Sequence, residues 1–147
     1  MQNLPIDAPD LLLVEDEPAD AFLTRIAFEE AGIAVRIHHV GNGREALDFL
    51  RRKPPYEAAP RPVLVLLDLN MPRMNGHEFL AEKQGDDALT DLPVVVLTTS
   101  DVERDVEACR ANGADDYIVK PVDVERYRER VGLLARTWGL PIREAMQ

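Results

Sequence analysis

The chain has 147 residues, 46% hydrophobic and 30% charged, proportions that fit one compact domain with a packed core and exclude a disordered segment. Lys and Arg total 17 against 27 Asp and Glu, and the net charge of −10 argues against a nucleic-acid backbone or an anionic membrane as partner. The single cysteine, Cys109, cannot close an internal disulfide, so nothing demands an oxidising compartment.

The lead, residues 1–9, carries no basic residue, and the apolar run Leu11-Leu12-Leu13-Val14 stops at Glu15-Asp16-Glu17. That run is too short for a signal-peptide core or a membrane span, and the expected location is the cytoplasm. Five short apolar runs predict strands: Leu11–Val14, Val35–Val40, Val63–Leu67, Val94–Leu97 and Tyr117–Val119. Three of them are nearly all Val and Leu, as befits strands covered on both faces of a parallel sheet.

Helical periodicity fills the intervals. The first helix runs from Pro18 to Ala31, with Phe22, Leu23, Ile26 and Ala27 on one side and Gly32 as its stop. The second starts near Asn42, an N-cap candidate, and ends in the basic run Arg51-Arg52-Lys53. A loop with four prolines, Lys53 to Pro62, leads to the third strand. The third helix is expected from Gly76 to Gly85, the fourth from Ser100 to Asn112, and the fifth from Asp123 to Trp138, with Gly139 after it. Fivefold strand–helix alternation predicts an α/β fold, an open parallel sheet with five helices on its two faces. Residues 10–139 form this single domain, and 140–147 are a tail too short for another; no linker to a second folded unit is visible.

In open parallel sheets ligands bind beyond the carboxyl ends of the strands. The first strand ends in Glu15-Asp16, the third in Asp68 with Asn70 after it, the fourth in Thr98-Thr99 and the fifth in Lys120-Pro121. Three acids crowded on one rim repel each other unless protonated or matched by a cation, and a hard divalent ion such as Mg²⁺ suits such oxygens. A lysine and a threonine hydroxyl opposite that ion would frame a site for a tetrahedral oxyanion, with phosphate the obvious candidate.

The run from Val14 to Asp16, the segment Asp68-Leu69-Asn70-Met71-Pro72-Arg73-Met74-Asn75-Gly76, the segment Leu97 to Ser100 and the segment Gly113 to Pro121 together resemble the receiver domain of two-component response regulators. The resemblance covers roughly residues 10 to 138. It implies a flavodoxin-like, doubly wound five-stranded sheet of order 2-1-3-4-5. It further implies that Asp68 accepts a phosphoryl group from a sensor histidine kinase in a Mg²⁺-dependent reaction. Asp16, Asp68 and the main-chain carbonyl of Asn70 would bind the ion, with Glu15 acting through water. Thr98 and Lys120 would hold phosphoryl oxygens, Tyr117 would be a switch aromatic coupled to Thr98, and Pro121 would follow a cis peptide bond. Glu15-Asp16 in place of the commoner Asp-Asp is a mild departure. The Glu-Asp-x-Pro-Ala-Asp opening, the proline-rich loop and the tail past Trp138 resemble, more narrowly, stand-alone regulators paired with bacterial phytochrome histidine kinases.

His38, His39 and His77 have no metal-ligand spacing, and Cys109 reads as packing; none is expected to be catalytic. In the fifth helix Val124, Tyr127, Val131, Leu134 and Trp138 form a stripe for the sheet, while Leu133, Leu140 and Ile142 add apolar surface that would serve a homodimer. The expected activity is self-phosphorylation and dephosphorylation, not turnover of external substrates. An Asp-nucleophile phosphatase is disfavoured because position 70 is Asn where a second acid is expected. A phosphorylation-independent interaction module of the same fold is the alternative, disfavoured by the joint presence of the acids, Thr98 and Lys120.

Overall fold

The computed structural model describes residues 4–69, 75–98, 107, 108, 110, 111, 113–121 and 123–143. Five strands, β1 (Asp10–Val14), β2 (Arg36–Val40), β3 (Leu64–Asp68), β4 (Val94–Thr98) and β5 (Asp116–Val119), form one parallel sheet in the order β2-β1-β3-β4-β5. This is the expected order. Among the described residues there are four helices: α1 (Pro18–Glu30), α2 (Gly43–Leu50), α3 (Gly76–Gln84) and α4 (Val124–Trp138). Of the fourth helix in the sequence reading, residues 107, 108, 110 and 111 are helical and most of the rest lies outside the described residues. Thus α4 is the fifth helix of that reading.

Every residue of β3 and β4 is buried, which is why those runs show no polar alternation. Side chains still alternate between the faces and build two cores. Leu12, Val14, Val65, Leu67, Val94 and Val96 pack with Leu47 and Phe49 of α2 and Phe79 and Leu80 of α3. Leu11, Leu13, Leu64, Leu66, Val95 and Leu97 pack with Ala27 and Phe28 of α1 and Tyr127, Val131 and Leu134 of α4. Among the described residues no helix is long and apolar enough to cross a membrane.

Local chemistry fixes the helix ends. Asn42 and Asp123 accept the backbone N–H groups of Glu45 and Arg126, and Asn75 forms a reciprocal capping box with Glu78. Gly139 ends α4 in the left-handed conformation, φ 67°. Gly76 answers a different demand: a Cβ there would lie 2.8 Å from Leu69 Cα and 2.9 Å from the Asp68 carbonyl oxygen. Only glycine lets α3 start so close to the end of β3.

Two apolar assignments differ from expectation. The buried face of α1 is Ala21, Thr24, Ala27 and Phe28, whereas Phe22 and Leu23 are exposed. The small residues on this face pack against α4, where Thr24 Oγ1 lies 2.8 Å from the Tyr127 hydroxyl in a buried pair. Leu140 is buried in the second core, because the tail folds back and Ile142 bridges Ile33. Leu133 remains exposed, and Ile142 is partly so.

Candidate functional site

The strand register brings the polar residues to one rim. Val14 pairs with Leu67, Asp68 with Leu97 and Thr98 with Val119, so β1, β3, β4 and β5 all deliver their next residues at the carboxyl edge of the sheet. Glu15 extends β1, its N–H donating to the Val40 carbonyl at 3.0 Å, and Lys120 extends β5, its N–H donating to the Thr98 carbonyl at 2.7 Å.

Lys120 is the hub. Its ammonium donates to Glu15 Oε1 at 2.6 Å and lies 3.6 Å from Asp20 Oδ2 and 4.0 Å from Asp68 Oδ1. Glu15 and Asp68 are buried, whereas Asp16 is exposed. Burial and a hydrogen bond with Asp68 push the Glu15 carboxyl up to about 8, with Lys120 opposing. Burial works against the charge of Lys120, but the hydrogen bond to Glu15 and the charges of Glu15, Asp68 and Asp20 outweigh it and raise its pKa. One oxygen from each of Glu15, Asp16 and Asp68 lies within 4.8 Å of the others. Three hard oxygen donors, one of them held above the usual carboxylate range by burial even with Lys120 beside it, fit a divalent ion of the Mg²⁺ or Mn²⁺ class.

The structure therefore brings together Glu15, Asp16, Asp68 and Lys120, with Thr98 buried at the end of β4 beside them. Tyr117 packs against the α2–α3 core from β5. Asn70 lies outside the described residues. One expectation is corrected: among the described residues the cis peptide bond is Pro54–Pro55, and none precedes Pro121. Lys120 is aimed instead by its backbone bond to Thr98 and its side-chain bond to Glu15. The sequence reading missed two neighbours. Asp20 sits one helical turn beyond the acidic run, and the His39 ring nitrogen lies 2.7 Å from the Glu15 carbonyl oxygen. The first was present in the Glu-Asp-x-Pro-Ala-Asp signature; the second depends on the β1–β2 pairing and left no local signal.

The profile described as response regulator receiver domain matches residues 11–132. The chain belongs to that family. This receiver is 38% identical, over 87% of its length and 82% of the relative's, to the probable methanogenesis regulatory protein FilR2 of Methanothrix harundinacea. It is 41% identical to response regulator Rcp1 of Synechocystis over 75% of both chains. The solved Mn²⁺-bound form of Rcp1 superposes with a TM-score of 0.80 at 34% identity, covering 92% of this receiver and 99% of that chain. The phosphorylated cyanobacterial phytochrome response regulator RcpA gives 0.82 at 35% identity, covering 91% and 99%. This receiver presents its acids and lysine on the carboxyl rim of a 2-1-3-4-5 sheet, and it is a receiver of two-component signalling.

Proposed function

We propose that the protein is a response regulator that accepts a phosphoryl group from a sensor histidine kinase onto Asp68 and signals by a change of surface. The observation that carries this reading is the placement of Lys120 among Glu15, Asp16 and Asp68 at the rim. It is supported by phosphorylated RcpA, a relative of the same fold.

Asp68 supplies the nucleophile. Its carboxylate oxygen forms a P–O bond while the P–N bond of the phosphohistidine breaks, its electron pair returning to the imidazole nitrogen. Asp16, Asp68 and the Asn70 carbonyl, with Glu15 through water, are the residues that would hold Mg²⁺, which when bound would neutralise the acids and polarise the phosphoryl oxygens. Lys120 exchanges Glu15 for a phosphoryl oxygen, and the Thr98 hydroxyl donates to another. Because Thr98 ends β4 and Tyr117 of β5 pairs with Val96 of β4, their movement biases the surface formed by the helix between β4 and β5, by β5 and by α4. The protein thus catalyses its own phosphorylation and dephosphorylation in the cytoplasm.

The likeness to phytochrome-associated RcpA supports a bacterial phytochrome kinase as the donor. Leu133 of α4 and Ile142 of the tail are exposed, which supports a homodimer through the helix and tail. A net charge of −10 favours protein partners over nucleic acid or membrane. The test is transfer of labelled phosphoryl from an autophosphorylated phytochrome-type kinase. Label on the wild type and none on Asp68→Ala is expected; equal label on both, or none on either, contradicts the reading.

A further inference from the structure

The first turn of α1 carries an acid that the phosphoryl chemistry does not use. Asp20 Oδ2 lies 3.6 Å from Lys120 Nζ, closer than Asp68 Oδ1 at 4.0 Å. Yet Asp20 stands outside the trio Glu15, Asp16 and Asp68 that could share a metal ion. Its position is anchored: its carbonyl accepts the Thr24 hydroxyl at 3.0 Å, and Thr24 Oγ1 lies 2.8 Å from the hydroxyl of Tyr127, a residue buried in the α1–α4 core. The turn bearing Asp20 is therefore tied to α4.

We infer that Asp20 is a positioning residue that restrains Lys120 in the unphosphorylated protein, so that the lysine must surrender this partner to reach a phosphoryl group on Asp68. The inference rests on the phosphoacceptor reading above. Two effects act in the same direction. The ion pair stabilises the resting arrangement, and the additional carboxylate, 45% exposed beside the entrance lysine, repels an incoming anionic donor. Asp20 takes no part in the bond exchange: with acetyl phosphate, Asp68 forms the new P–O bond while the P–O bond to the acetyl group breaks and acetate leaves with the electron pair.

The test compares the rate of Asp68 labelling by acetyl phosphate, at saturating Mg²⁺ and low salt, in the wild type, Asp20→Asn and Asp20→Glu. Asp20→Asn labels roughly two- to five-fold faster, the range of an exposed ion pair. Asp20→Glu, which keeps the charge, returns toward the wild-type rate, and the difference shrinks as salt screens the exposed carboxylate. A merely structural role would slow labelling in Asp20→Asn instead. Equal or slower labelling of Asp20→Asn beside a normally labelled wild type overturns this inference alone. An unlabelled wild type overturns the phosphoacceptor reading and this inference with it.

Discussion

The ammonium of Lys120 rests 2.6 Å from Oε1 of Glu15, a side chain that is 1% exposed. Even with that ammonium beside it, burial and the neighbouring Asp68 hold the Glu15 carboxyl up to about 8. The same ammonium lies 4.0 Å from Asp68 Oδ1, so exchanging its carboxylate partners would bring it to a phosphoryl group there.

Proton uptake by Glu15 makes stability depend on pH. The carboxyl titrates at an ordinary 4.5 in the unfolded chain and at about 8 when folded, so between those values the folded protein binds more protons. In the absence of divalent ions the unfolding free energy is full below about pH 4.5 and falls as pH rises through about 8. Urea melts across this window should show the decline in the wild type and a flatter profile in Glu15→Gln. A wild-type stability that rises across the window would contradict the assignment.

Metal binding should reverse that penalty. Mg²⁺ at about 100 times its dissociation constant stabilises the native state by about 2.7 kcal/mol, and a chelator removes the gain. Asp16→Ala should lose both the gain and phosphoryl labelling, because Asp16 is the exposed member of the acidic trio. Thermal melts with and without Mg²⁺, run beside acetyl phosphate labelling, check the two losses together.

The buried hydroxyl pair between α1 and α4 predicts an asymmetry. Tyr127→Phe leaves Thr24 bonded to the Asp20 carbonyl, whereas Thr24→Val strands the buried Tyr127 hydroxyl. Urea denaturation should give a loss of about 1 kcal/mol for Tyr127→Phe and about 1–3 kcal/mol for Thr24→Val.

Gly76→Ala should damage the site from below. The added methyl meets Leu69 Cα and the Asp68 carbonyl oxygen at under 3.0 Å, so β3 must shift at the residue that carries the nucleophile. A stability loss of about 1–3 kcal/mol with slowed labelling is expected, measured by denaturation and intact mass.

Much of this was legible in the chain. Unbroken Val-Leu runs announced the buried strands, and the polar residue after each one marked the rim, because both signals are local. The buried face of α1 was not legible, since Phe22 and Leu23 are more apolar than Thr24 yet stay exposed. The face that packs on α4 is made of small residues and Phe28, with Thr24 meeting the Tyr127 hydroxyl, a fit that the pattern of α1 alone does not encode. The pairings of Lys120 with Asp20 and of His39 with the Glu15 carbonyl depend on strand order and register, which no single segment encodes. Asp68 and Lys120 were readable because one ends an apolar strand run and the other follows one; their separation came only from the assembled sheet.

The central claim is that the clustered rim makes Asp68 a phosphoacceptor. Intact-mass measurement after incubation with acetyl phosphate and Mg²⁺ tests it most directly. The account predicts a gain of one phosphoryl group in the wild type, lost with a chelator and lost in Asp68→Ala. A wild type that gains no mass, or an Asp68→Ala protein that gains the same mass, would contradict it.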